Sequence, residues 1–189
     1  MSETAQVKGT IIAARLAFVR ARGGELLLER VLARLSEADR KTLSGLILVT
    51  SSYPFPLNLR LDKAIADELS PGDPDKVFLE MGRASADVNL AGPQRLFLRQ
   101  GDPHYLLSFT ESIYGYYYSQ GKRTCEKTGP NTALLVTTGA ERQTPGDCLT
   151  VIGWYTRGIE MSGGTDVKIA HPVCAALGAS RCEYLASWS

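Results

Sequence analysis

The sequence predicts an α+β fold in which N-terminal helices pack on an antiparallel sheet of about four strands, with a helix inserted between two strand pairs. Three observations carry this. Up to "YYYSQGK" the apolar residues recur at helical spacing. Beyond it come two short β-like runs, a helix, and two more β-like runs. Segregated helices and strands argue for α+β rather than alternating α/β.

Taken in order, residues 1–7 read as a flexible tail and 8–189 as one domain. "KGTIIAARLAFVRARGG" reads as a buried helix ending at Gly23. "ELLLERVLARLS" puts Leu27, Leu28, Val31, Leu32 and Leu35 on one helical face. Ser36 to Asp39 opens a short helix with a capping-box pattern. Pro56 starts a helix to about Leu69, and "SPGDPD" is a loop. The next helix begins at Asp75 with Phe78, Met81, Ser85 and Val88 on one side. Pro103 starts another, with an apolar face of Leu106, Phe109, Ile113 and Tyr117. "RTCEKT" and "TALLVTTG" are strands joined at Gly129-Pro130-Asn131. "TPGD" caps a helix with Cys148, Val151, Ile152, Tyr155 and Ile159 inward. "DVKIAHPVCAAL" and "RCEYLASW" close the chain as a hairpin about the turn "GAS".

With 189 residues the chain suits one domain with a real core, and 44% hydrophobic and 22% charged residues are ordinary for a globular protein. A formal net charge of +1 gives no electrostatic case for nucleic acid or an acidic membrane. "MSETAQVK" is polar, no apolar signal region follows, and no run suffices for a spanning helix, so a cytoplasmic protein is expected. There cysteines serve as thiols or metal ligands more often than as a disulfide framework. No phosphate loop, GxSxG or HExxH pattern appears, and the carboxylates are scattered, so no enzyme is expected.

If the hairpin turns about Gly178, Cys174 and Cys182 oppose each other on one face, where Cβ atoms sit ~5 Å apart. Two thiolates there suit zinc, which takes four ligands. Cys148, His104, His171 and Cys125 could complete the set. Small thiols filling a core, or a redox pair, remain open alternatives. His104, in the first turn of its helix, could ligate haem iron or zinc or simply be half-exposed, while His171, before Pro172, reads as structural. "SIYGYYYSQG" holds Tyr114, Tyr116, Tyr117 and Tyr118, four of the eight tyrosines, which fit a wrapped helix, a pocket wall or a subunit contact. A ligand pocket would be lined by Phe109, Ile113, Tyr117, Val151, Ile152 and Tyr155.

"CAALGASRCEY", a C-x7-C pattern followed by an aromatic, resembles the end of the vinyl-reductase-type ligand-binding domain. "VKGTIIAARLAFVRARGG" and "VFLEMGR" resemble the related haem–nitric-oxide-binding (H-NOX) domains. "KGTI", "DPHYLL" and "YYYSQGK" resemble an uncharacterised myxobacterial paralogous family of the same superfamily. The resemblance implies a curved sheet, an apolar pocket beneath the helices, and zinc ligation by Cys174 and Cys182, with Cys148 and His104 as further ligands. The H-NOX haem histidine would fall near His104. That family's Y-x-S-x-R pattern is replaced by "VTTGAER", so haem is not expected. These features together predict a non-enzymatic, homodimeric signalling module that binds a small apolar ligand and acts through a protein partner. A scaffold with a filled pocket and a haem gas sensor using His104 are the alternatives.

Overall fold

A computed structural model describes residues 4–92, 94–140 and 144–189. Strand β1 (Gln6–Lys8) leads into helix α1 (Gly9–Ala33), followed by α2 (Glu37–Ser44), β2 (Ser52–Pro54), α3 (Phe55–Leu69) and α4 (Pro74–Ala91). Then come α5 (Pro103–Ser108), α6 (Thr110–Tyr117), β3 (Lys122–Gly129), β4 (Thr132–Thr138), α7 (Pro145–Met161), β5 (Lys168–Val173) and β6 (Arg181–Ser187). β1 and β2 form a small antiparallel ribbon, and the other four strands form an antiparallel sheet in the order β3-β4-β6-β5. The α+β architecture, with α7 inserted between strand pairs, is the one the sequence predicts. Among the described residues no helix is long and apolar enough to cross a membrane.

Several details differ. The chain start is anchored from Ala5: its carbonyl accepts from Phe55, and Gln6 exchanges hydrogen bonds with Ser119. Residues 1–3 of the expected tail lie outside the described residues, as do Glu141 and Arg142 of "VTTGAER". Gly23 does not end the helix. It forms a kink with Gly24, whose φ of 65° favours glycine, and α1 resumes beyond it. The helix expected from Pro103 to Tyr117 breaks at Phe109 into α5 and α6. Val88, expected inward on α4, is exposed. The terminal turn is wider than "GAS": a 3-10 turn at Ala175–Leu177 ends on Gly178, with a register shift between Ala170 and Val173. Pro172 sits in that shift, where its missing N–H breaks no ladder bond.

The sheet is buried on one face. Ala133, Leu135 and Thr137 of β4 lie beside Ala186, Tyr184 and Cys182 of β6, and all six are buried. α7 covers this face with Cys148, Val151, Tyr155 and Ile159. Its opposite side meets α4 backbone to backbone. A Cβ on Gly82 would collide with the Thr150 carbonyl, and one on Gly153 with the Leu79 carbonyl. Reciprocal glycines thus let the two helices touch where any side chain would hold them apart.

Inside the helical layer Arg15 Nε donates to Asp62 Oδ1 at 2.8 Å, and Arg15 Nη1 to Ser85 Oγ at 2.6 Å. Asn58 donates to the other carboxylate oxygen of Asp62. The pair is buried (side chains 5% and 2% exposed), so truncating one partner leaves an uncompensated charge in the core.

Two outcomes follow. Thermal or denaturant unfolding should show Gly153→Ala costing ~1–3 kcal/mol by overpacking, whereas Gly115→Ala on α6, whose Cβ meets nothing within 4 Å, should be neutral or stabilising by up to ~1 kcal/mol. Asp62→Ala should cost ~3–5 kcal/mol in the same assay.

Candidate metal centre and ligand cavity

α7 is capped by Thr144, whose hydroxyl accepts from the Asp147 N–H, and Cys148 sits one residue beyond Asp147, facing the sheet. β6 brings up Cys182 in register with Thr137 of β4. β5 presents His171, and Cys174 follows at the start of the turn to β6. The four ligand atoms of Cys148, His171, Cys174 and Cys182 all lie within 4.8 Å of one another. Cys148 Sγ is 3.8 Å from both Cys174 Sγ and Cys182 Sγ. Three sulfurs on a tetrahedron of ~2.3 Å zinc–sulfur bonds would stand about 3.8 Å apart.

The surroundings agree with that donor set. His171 Nε2 is buried with no hydrogen-bond partner among the described residues, and its ring stacks on Tyr184 at 4.4 Å and 4°. Burial lowers the pKa of His171, which keeps the imidazole neutral, as a ligand must be. Burial, reinforced by Asp147 and the neighbouring cysteines, pushes the Cys148 thiol far up. A cation would reverse this, because a coordinating thiol is deprotonated. The Ala175 N–H donates to Cys182 Sγ at 3.2 Å, a bond that fixes a thiolate's orientation.

His104, placed in this set by the sequence reading, is elsewhere. Its Nε2 lies 3.1 Å from the Gly129 carbonyl and 2.8 Å from that of Pro130, at the β3–β4 turn, and its ring packs edge-on against Trp188. His171, read as structural, stands in the cluster instead. His171 faces the thiols because it alternates with exposed Ala170 and Pro172 on β5, two residues beyond inward-facing Ile169. Cys125 lies on β3 opposite Leu135, with its thiol pushed up to about 11 by burial.

At the junction of α1, α4, α6, α7 and β3 lies a cavity of about 60 Å³. Four of the six residues read as a pocket wall reach it: Ile113, Tyr117, Val151 and Tyr155. Phe109 instead stacks on Phe97 at 4.5 Å, displaced by the break between α5 and α6. Ile152 packs in the core between α7 and the sheet. Arg15 and Arg123 also line the cavity, and neither was singled out in the sequence. The available signal was charge out of place: Arg15 interrupts "TIIAARLAF", and Arg123 shares the inward parity of Cys125. Beside the cavity a larger groove of about 510 Å³ runs along α1, α4 and α6. Ala13, Ala17, Val88, Phe97 and Tyr116 are among its walls. Tyr114 and Tyr117 are buried and Tyr116 is exposed, so the tyrosine-rich helix faces mainly inward.

No protein-family model and no curated protein matches this chain. Solved structures do. An H-NOX protein from S. oneidensis in the Fe(II)NO ligation state is 14% identical with a TM-score of 0.73, over 96% of this chain and 99% of that one. The Fe(II) unliganded H-NOX protein from K. algicida is 11% identical with a TM-score of 0.71, over 96% of each chain. An oxygen-binding H-NOX domain related to soluble guanylate cyclases is 11% identical with a TM-score of 0.67, over 96% of this chain and 95% of that one. The chain therefore has the H-NOX fold. Another such neighbour comes from work on haem distortion in the H-NOX family. This corrects the expectation that haem has no place here.

Proposed function

We propose that this chain is a non-enzymatic sensory domain that reads a small ligand, with a structural zinc ion tying α7 to the terminal hairpin. The observation that supports the sensory reading is the match, over nearly the whole chain, to H-NOX proteins described in Fe(II), nitric-oxide and oxygen-bound states. The zinc reading rests on four ligand atoms within 4.8 Å of one another, two of the sulfur–sulfur distances being 3.8 Å, together with the buried His171 Nε2 that has no partner among the described residues. Zinc would supply no chemistry of its own in such a closed four-ligand site. It would clamp the sheet edge to the helix layer. Metal analysis of untagged protein should give one zinc per chain. Cys182→Ser and His171→Ala should each weaken zinc binding by at least tenfold, and His104→Ala should leave it unchanged. Loss of zinc on His104→Ala, or protein that never takes up zinc, would contradict the assignment. Because thiols must shed protons to bind, zinc affinity should fall as pH falls.

The form of the sensory reading that the neighbours favour is a haem gas sensor with His104 as iron ligand. In the conformation described, His104 Nε2 is engaged by the Gly129 and Pro130 carbonyls, and the cavity is 60 Å³. Haem uptake thus requires His104 to leave these carbonyls and the helices to part. Reconstitution with hemin under reducing conditions should give a Soret band that His104→Ala abolishes and nitric oxide shifts. Absence of the band would overturn this form of the reading. The other form, an apolar small ligand, is supported by the groove beside α1, whose volume lies in the range of ligand sites.

A further inference from the structure

Arg123 is 5% exposed and lines the central cavity. Its Nε donates to Thr137 Oγ1 at 2.8 Å. Among the described residues that is its hydrogen bond, and no carboxylate lies within ion-pair distance of it. Arg15, the other guanidinium on the cavity wall, differs: Asp62 neutralises it. Around Arg123 stand the rings of Tyr114, Tyr155 and Tyr184, with centroids 4.9, 5.6 and 5.8 Å from Cζ. Aromatic faces offset part of the desolvation of a guanidinium. They accept no hydrogen bonds in the plane of the fork, where the terminal nitrogens point. Arginine cannot escape by deprotonating. A buried ion in this state is costly unless an anion meets it.

The cavity has room on the order of four waters, enough for a planar two-oxygen head. That shape matches the guanidinium fork. The cavity also has a neighbour. Asn89 and Tyr117 line both it and the 510 Å³ groove, so a cationic end and an apolar trough adjoin at these two side chains. The trough wall is mostly alanine, valine and aromatic side chains, with Thr10, Asn89, Gln94 and Ser112 as its polar members, and Val49, Val88 and Tyr116 are about half exposed.

We propose that Arg123 receives the carboxylate of an apolar monocarboxylic acid whose body lies in the groove beyond Asn89 and Tyr117. This rests on the small-ligand reading and names its chemical class. Charge selects the head, and the groove selects a tail of medium length. A neutral alcohol of the same length would fill the groove equally and leave the guanidinium unmet.

The test is calorimetric titration of the full chain with decanoate and with 1-decanol, below their micellar concentrations and near pH 8. Decanoate should bind at least tenfold more tightly. In Arg123→Gln the two should bind within about twofold of each other, while Val88→Trp, which narrows the groove, should weaken both. Equal binding of acid and alcohol to the parent chain would overturn the carboxylate assignment and leave the small-ligand reading intact. Binding of neither would overturn the assignment, and a Soret band in the same preparation would then show that the sensory reading survives it. Should Arg123→Gln fail to fold, the acid-to-alcohol ratio in the parent chain still decides, because it needs no variant.

Discussion

The backbone contact between α4 and α7 at Gly82 and Gly153 sets the rest of the structure. Two helices that touch at their carbonyls leave no freedom in spacing. With α4 seated on the helical layer, that contact fixes the depth of α7, and α7 is also the helix that covers the sheet. Its outer stripe then falls on the buried rows of β4 and β6. Cys148 arrives 3.8 Å from two other thiols because the helix carrying it has nowhere else to lie.

The same placement links the two sites. Arg123, Thr137 and Cys182 form one row across β3, β4 and β6 on the buried face. Cys125, Leu135 and Tyr184 form the next. Tyr184 stacks on His171 with one face and stands 5.8 Å from the Arg123 guanidinium. The thiol–imidazole cluster and the Arg123 guanidinium therefore share one aromatic neighbour. Tyr184 packs between His171 and the guanidinium that lines the cavity.

Much of this was legible in the sequence. Helical spacing and the change at "YYYSQGK" gave the architecture, the apolar stripe put Cys148 on the inward face of its helix, and the hairpin reading brought Cys174 and Cys182 together. Other features were not legible, for identifiable reasons. His171 shares the inward parity of Ile169 on β5, but its meeting with Cys148 depends on how α7 lies on the sheet, and His104 is held at the β3–β4 turn, neither of which spacing encodes. The displaced Phe109 depended on a helix break without a proline or glycine to announce it. Arg15 and Arg123 were visible as misplaced charges, but burial turns a charge into a site only when its partners are known. For Arg15 that partner, Asp62, lies 47 residues away. Short motifs carried the fold family and misjudged haem, because motif loss and fold retention are separate properties.

The claim on which this account turns is that α7 and the hairpin converge on a single metal ion through three sulfurs and one imidazole. X-ray absorption at the zinc edge of the full chain tests it directly. The account predicts a first shell of three sulfurs at ~2.3 Å and one nitrogen at ~2.0–2.1 Å. A shell of oxygen and nitrogen ligands, or one with two sulfurs or fewer, would contradict it.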